Sequence, residues 1–222
     1  MDARSPAASL RRLVLLVAGL ALWAGPAQAA AIGAQLGIDR AGIDGDTPPN
    51  SAYVDKIGWV AGIQSEFGFA RDLSLSLQPS FVQKAAGVQI PIPSGEESFT
   101  ELGLTFGYVS VPVLVKFAQA RGRTYVATGV TIDFLTSATL SGQGADQDVK
   151  SSFNSTGFGA VLGFGVVFPV GSTHLTAELR FVQGMSNLNT GDAAEAAGAL
   201  APRLHTTGWE FIVGTLIPMG RR

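Results

Sequence analysis

Apolar and small-or-polar residues alternate along most of this chain with a period of two. Between residues 57 and 69, Ile57, Trp59, Ala61, Ile63, Ser65, Phe67 and Phe69 alternate with Gly58, Val60, Gly62, Gln64, Glu66 and Gly68. Successive side chains of a strand point to opposite faces, so one face is aliphatic and aromatic and the other small or polar. A soluble barrel buries its apolar face. Here that face is too bulky for an interior, and the other face carries ionisable groups. The pattern predicts an inverted barrel, with apolar residues toward lipid and polar ones toward a lumen.

Eight segments share this period: 31–39, 57–69, 73–85, 102–117, 124–140, 156–169, 173–188 and 206–218. Most reach the roughly 9–11 tilted residues that cross a bilayer. Connections after the second, fourth and sixth segments are short (70–72, 118–123, 170–172). Those after the first, third, fifth and seventh are long (40–56, 86–101, 141–155, 189–205). Short turns on one rim and long loops on the other are the habit of outer-membrane barrels, with the short turns periplasmic. The predicted fold class is therefore all-β, an eight-stranded antiparallel transmembrane β-barrel with the first strand paired to the eighth.

The strand charges are Asp39, Glu66, Lys84, Lys116, Asp133, Glu178, Arg180 and Glu210, and all lie in the phase opposite the apolar row. A lipid-facing Lys or Arg near the midplane costs about 2–4 kcal/mol, which accounts for the segregation. Trp59, Trp209, Phe81 and Phe181 fall toward the long-loop ends of the apolar rows, and Phe67, Phe69, Phe117 and Phe168 toward the short-turn ends. They are candidates for two interfacial girdles. Two features break the pattern. Leu102, Leu104, Phe106 and Tyr108 share one phase while Val109, Val111, Val113, Val115 and Phe117 share the other, which predicts a bulge near Tyr108–Val109. Pro79 and Pro112 fall mid-strand, and each predicts a local break in the ladder because proline has no N–H to donate.

The N-terminus has the form of a secretory leader. Arg4, Arg11 and Arg12 precede an apolar run of 11 residues, Leu13–Trp23, and Ala27-Gln28-Ala29 is a small-x-small cleavage site. The run is too short for a spanning helix, which needs about 20 residues. The expected organisation is a signal peptide over 1–29 and one barrel domain over 30–222. The chain has 15 basic and 17 acidic residues; the leader would remove three arginines and Asp2, leaving 12 against 16. Nothing is basic enough to track nucleic acid. There is no cysteine, which excludes disulfides, thiol chemistry and cysteine metal ligands.

Several motifs carry a family resemblance. Leu73–Ala86 (LSLSLQPSFVQKAA), Tyr108–Phe117 (YVSVPVLVKF), Tyr125–Val130 (YVATGV) and Leu175–Asn189 (LTAELRFVQGMSNLN) occur in that order. Asp148–Ser152 (DVKSS) precedes TGFGAVLGFGV. In order and spacing they resemble the PorT-like outer-membrane β-barrel family. The resemblance implies a single-domain barrel in the outer membrane and no catalytic residue set. The chain ends Ile217-Pro218-Met219-Gly220-Arg221-Arg222, without the terminal aromatic common in outer-membrane barrels.

A lumen enclosed by eight strands is filled by side chains or holds one small ligand. Its charges must satisfy one another, because an isolated ion there is costly. Glu66, Lys116, Asp133, Glu178, Arg180 and Glu210 are therefore expected to form an interior polar network, with Glu66 meeting Lys116, and Arg180 meeting Glu178 and Glu210. Such a network can be a rigid plug or a proton path, and a narrow lumen favours the plug. Gly157, Gly159, Gly163 and Gly165 line the inner phase of one strand, either as the wall of a ligand cavity or as room for Arg180 or Tyr125. Asp44 and Asp46, with Asp39 and Asp55 nearby, offer oxygen ligands but lack the EF-hand pattern. His174 and His205 fall near opposite rims with no nucleophile motif beside either. The alanine-rich stretch 191–200 is expected to form a short helix or a mobile loop.

The leading functional expectation is an outer-membrane barrel with a polar, side-chain-filled lumen and four extracellular loops, acting in structure or surface interaction without catalysis. The alternatives are a small-ligand or lipid transport barrel and, third, an outer-membrane hydrolase. No cofactor and no metal is expected. The expected partners are outer-membrane lipid, the barrel-assembly machinery and an unspecified protein met at the loops or the periplasmic rim, for a monomer.

Overall fold

A computed structural model describes residues 30–45, 52–91, 99–118, 123–142, 146–188 and 204–219. The expected leader over 1–29 and the alanine-rich stretch 191–200 lie outside the described residues. The strands are β1 (Ala30–Gly45), β2 (Ala52–Gly68), β3 (Leu73–Leu77), β4 (Ser80–Pro91), β5 (Phe99–Ala118), β6 (Thr124–Ser141), β7 (Gln147–Asp148), β8 (Thr156–Val170), β9 (Thr173–Gly184) and β10 (Leu204–Pro218). All of their pairings are antiparallel. Followed from β1 through β2, β3 and β4, β5, β6, β8 and β9 to β10, the ladders return to β1, where Ile38 faces Phe211 and Asp39 faces Glu210.

The count is ten strands, not the expected eight. Two local causes account for the difference. The third predicted segment is cut at Gln78-Pro79 into β3 and β4, which keep one register on both neighbours: Ser65 faces Leu77 and Gly62 faces Ser80 on β2, while Val113 faces Leu77 and Ser110 faces Ser80 on β5. Gln78-Pro79 and Val111-Pro112 therefore lie opposite each other. The two prolines share one interruption, where two separate breaks were expected. Gln78 N–H donates to the Pro112 carbonyl at 3.0 Å, and Ile63 N–H donates to the Pro79 carbonyl at 3.1 Å, so the missing proline donors leave the wall tied. The other addition is β7, a two-residue strand in a predicted loop, paired to Thr139 and Leu140.

The predicted bulge is found at the expected level of the ladder, but on the partner strand. β5 keeps a single phase, with Leu104, Phe106, Tyr108, Ser110, Leu114 and Lys116 all buried. The register shift falls between Gly107 and Tyr108, and its extra residue is on β6. Gly107 pairs with Ser137 and Tyr108 with Leu135, so Thr136 is the extra residue. The apparent phase change in β5 is a change of chemistry on an unbroken strand. Toward the short turns its inner face is mixed and its outer face aliphatic. Toward the long connections its inner face is apolar.

That apolar inner face builds the largest core. Ala86, Leu104, Phe106, Tyr108, Leu135, Ala138 and Leu204 are buried together, with Leu140, Val149, Phe153 and Leu188 packed on them. Phe153 meets Phe106 edge-on at 4.9 Å between ring centroids, a favoured aromatic geometry. The segment after β7, a single 3-10 turn at Lys150–Ser152, brings Val149 and Phe153 onto this core. Val149 N–H donates to the Ala138 carbonyl at 2.9 Å, and Lys150 Nζ donates to the Thr136 carbonyl at 2.9 Å. The bulged residue is thus also the docking point of the folded-back segment.

The outer face reverses the usual rule. Leu36, Ile38, Ile63, Val130, Leu162, Phe164, Leu179, Phe211 and Val213 are exposed around the wall. Trp59 stacks near Phe81 at 5.2 Å and Phe181 near Trp209 at 5.1 Å, so the four aromatics expected in one girdle form two cross-strand pairs. Arg40 stands beside Trp209 in the ladder and pairs with Asp55 at 3.4 Å, both exposed. This outward ion pair marks the edge of the apolar belt.

Candidate functional site

The inner faces of the strands hold the charges that the period-two phase had put there. Asp39, Lys84, Lys116, Asp133, Glu178, Arg180 and Glu210 are buried, and Glu66 is partly so. Toward the short turns, Lys116 Nζ sits 3.3 Å from Glu66 Oε2 and 3.9 Å from Glu178 Oε2, above the Tyr125 ring at 4.7 Å. The Ser74 hydroxyl donates to Glu66 Oε1 at 2.7 Å, and the Tyr125 hydroxyl donates to Glu178 Oε2 at 2.7 Å. Each carboxylate therefore has a cation on one side and a hydroxyl on the other, as a buried charge requires.

Arg180 occupies the middle. Its Nη2 lies 2.8 Å from Glu178 Oε1 but directs its N–H to Gln78 Oε1 at 2.6 Å, and its Nη1 lies 3.7 Å from Glu210 Oε2. Arg180 and Glu210 face each other across the β9–β10 ladder, and Glu178 is two residues along the same strand. Gln78 reaches this position because the Gln78-Pro79 interruption lies opposite. Further toward the long connections, Lys84 Nζ lies 3.7 Å from Asp133 Oδ2, while Ser110 and Thr131 hydroxyls reach Asp133 Oδ1 at 2.6 and 2.8 Å. The six network residues are thus brought into two sets. Glu66, Lys116, Glu178, Arg180 and Glu210 form one chain of contacts, and Asp133 pairs with Lys84 in a second.

Three glutamines extend the network, and the sequence reading passed over them. Gln35 Nε2 donates to Ser80 Oγ at 2.7 Å, Gln64 Nε2 to Thr176 Oγ1 at 3.3 Å and to the Thr215 carbonyl at 3.0 Å, and Gln78 Nε2 to Ser76 Oγ at 3.0 Å. Their inward phase was the available signal.

The glycine row is occupied space. A Cβ at Gly165 would run into the Tyr125 ring, and one at Gly163 would come within 3.2 Å of Glu178 Oε1 and 3.3 Å of Arg180 Cβ. Gly157 differs, its nearest neighbour being Asp133 Cβ at 3.9 Å. It borders a cavity of about 20 Å³ with Tyr108, Asp133 and Thr206, room for a single water. Smaller apolar groups, Leu114, Ala127, Val161 and Val182 on one side and Val60, Val82 and Ile212 on another, fill the inner face between the charges.

The other candidate groups do not assemble. Asp39 is buried inside while Asp55 faces out to Arg40, and Asp46 lies outside the described residues, so the acidic set is divided between faces. Among the described residues no group of three or more His, Cys, Asp or Glu side chains is arranged to hold a metal. His205 Nδ1 lies 3.1 Å from the Ser186 backbone carbonyl, and the Ser186 hydroxyl accepts from Phe158 N–H at 2.8 Å, so the two do not form a nucleophile–base pair.

An inner face of paired charges inside an apolar belt is the signature of a membrane-spanning sheet. Residues 26–189 match the model of the family described as Outer membrane protein beta-barrel domain, and the chain belongs to that family. It is an outer-membrane β-barrel domain by that membership. The narrower PorT-like resemblance is not what this match establishes. No curated protein matches the chain. Solved structures similar to it include the outer membrane protein OprG from Pseudomonas aeruginosa (10% identity, 88% of this chain and 97% of that one, TM-score 0.49). Neisserial surface protein A (14% identity, 84% and 97%, TM-score 0.45) and Ail of Yersinia pestis (15% identity, 86% and 100%, TM-score 0.43) are similar too.

Proposed function

We propose that residues 1–29 are a leader and that residues 30–222 form a closed barrel whose eight membrane-crossing walls are β1, β2, β3 with β4, β5, β6, β8, β9 and β10. Its short turns face the periplasm and its four longer connections face outward. The lumen is plugged, and the barrel serves a structural or surface-interaction role with no solute path. The observation that carries this reading is the filling of the inner face along its whole height. The Glu66–Lys116–Glu178–Arg180–Glu210 chain fills the periplasmic and middle parts, and the Phe106 core fills the mouth. A barrel of this circumference has a bore that side chains fill. The PorT-like motifs agree with this placement and add no site of their own.

The test is conductance of the purified protein in planar bilayers. The wild type is expected to pass little current, and Arg180→Ala combined with Phe106→Ala is expected to pass more. Large, steady, ohmic channels from the wild type would refute the plug and put the transport reading first.

A further inference from the structure

The seam between β1 and β10 is incomplete at one place. Ile32 pairs with Ile217 and Gln35 with Gly214, but Gly33 and Ala34 have no ladder partners across from Leu216 and Thr215. The Thr215 carbonyl has turned inward across Gly33, where a Cβ would strike it, and accepts the Gln64 amide at 3.0 Å. Ala34 N–H is left with the Thr215 hydroxyl at 3.4 Å. Two residues of wall are therefore held by side chains in place of backbone hydrogen bonds. Toward hydrocarbon such a stretch needs cover, because no water is there to satisfy its peptide groups.

A groove of about 430 Å³ lies over this stretch on the outer face. Small residues form its floor, obliquely across three strands: Ala34 on β1, Thr215 on β10 and Ala177 on β9. Leu36 and Val213, paired across the seam, wall it on one side. Leu175 and Phe168, paired across β9 and β8, wall it on the other, close to the turn where Gly171 has φ 60°. The walls are exposed apolar side chains continuous with the outer belt.

We infer that this groove is a lipid site, holding one acyl chain of a periplasmic-leaflet phospholipid against the incomplete β1–β10 seam. The inference rests on the closed-barrel reading with its short turns toward the periplasm. The occupant follows from position. Its walls are exposed residues of the apolar belt, it lies beside the short turn at Gly171, and its lining is mostly apolar, with Gln35, Thr176 and Thr215 the polar side chains among it. A chain seated there excludes headgroups and water from Ala34 N–H and Thr215 Oγ1, and fills the space that the small side chains leave.

The test uses the full mature protein in vesicles of phosphatidylethanolamine and phosphatidylglycerol, doped with phosphatidylethanolamine carrying a diazirine on one acyl chain. Crosslinked peptides are mapped by mass spectrometry. Labelling at Ala34, Ala177 and Thr215 is expected to be several-fold richer than at Val115 and Val126, outward residues near the turn between β5 and β6. It should fall to the level of those controls in Ala177→Trp, which fills the groove from outside, or in Ala34→Phe if the first variant does not assemble. Equal labelling at groove and controls, labelling unchanged by the filled groove, or chain-to-chain crosslinks at the groove would each overturn the inference and leave the barrel reading intact. Failure to label any outward belt residue would overturn both.

Discussion

Arg180 is the side chain on which the interior depends most. It is 1% exposed and touches Glu178, Gln78 and Glu210, at 2.8, 2.6 and 3.7 Å. At an effective dielectric of about 20, a unit pair about 4 Å apart interacts by about 4 kcal/mol, and Arg180 has two such partners. Most of that attraction is offset by the several kcal/mol that each ion loses on leaving water. Arg180→Ala removes the attraction and keeps the cost. Glu178 retains Lys116 at 3.9 Å, but Glu210 loses its ion pair with Arg180 and Gln78 Oε1 loses the Arg180 donor. The expected loss is about 3–5 kcal/mol, the usual result of breaking a buried pair from one side. Leu179→Ala, next door but outward and 48% exposed, trims only lipid contact and is expected to cost less than about 2 kcal/mol. The double variant Arg180→Met with Glu210→Gln should recover part of the loss, since no uncompensated charge is left at Glu210. The assay is urea-dependent unfolding from vesicles, followed by the fluorescence of Trp59 and Trp209, both on the outer belt. An Arg180→Ala loss no larger than that of Leu179→Ala, or a double variant worse than the sum of its singles, would refute the coupled network.

Two further changes separate packing from charge. Gly165→Ala pushes a methyl into the Tyr125 ring, which is held by its bond to Glu178, and is expected to cost about 1–3 kcal/mol. Gly157→Ala, with nothing nearer than 3.9 Å, should be close to neutral in the same urea assay. Phe106→Ala opens the apolar mouth and should cost about 3–5 kcal/mol. It should also loosen the segment that Phe153 anchors, read as faster tryptic cleavage after the exposed Lys150, with cleavage at the wild-type rate counting against the anchoring.

The strand phases were legible in the sequence because the cost of misplacing a charge is large and local. Lys or Arg on the lipid side costs about 2–4 kcal/mol near the midplane and less toward the interfaces, so each strand carries its own record of which face is which. Phase and height along the strand put Glu66 near Lys116, and Arg180 near Glu178 and Glu210, and these side chains lie 3.3, 2.8 and 3.7 Å apart. Features set by two strands together were not legible. That Pro79 and Pro112 share one break depends on the β3–β4 to β5 register, which neither segment encodes alone. Which strand carries the extra residue is not legible, because β5 shows a change of residue type at that level while β6 shows only the polar pair Thr136-Ser137. The split of the acidic residues had the same origin. β1 and β2 run on past Asp39 and Ile57, which puts Arg40 and Asp55 outside and Asp39 inside.

The change along β5 explains why one strand carries two hydrophobic patterns. A wall within the bilayer has hydrocarbon outside, so its apolar residues face out and its polar residues must be satisfied within. A wall beyond the bilayer has water outside, and the ordinary rule returns with apolar residues inside. β5 is 20 residues long, about twice what a crossing requires, so it passes through both regimes without a bulge. On the proposed reading, Val109, Val111, Val113 and Val115 face the membrane, and Leu104, Phe106 and Tyr108 belong to a cap beyond it. Arg40 and Asp55, charged and outward, likewise lie toward the long connections on β1 and β2. The cap and the membrane part are therefore stabilised by different forces. Salt and charge substitutions should act on the Arg180 chain, while loss of apolar volume should act on the Phe106 core. Surface interaction, on the proposed reading, falls to the cap and its connections, because that is the part that meets water outside the cell.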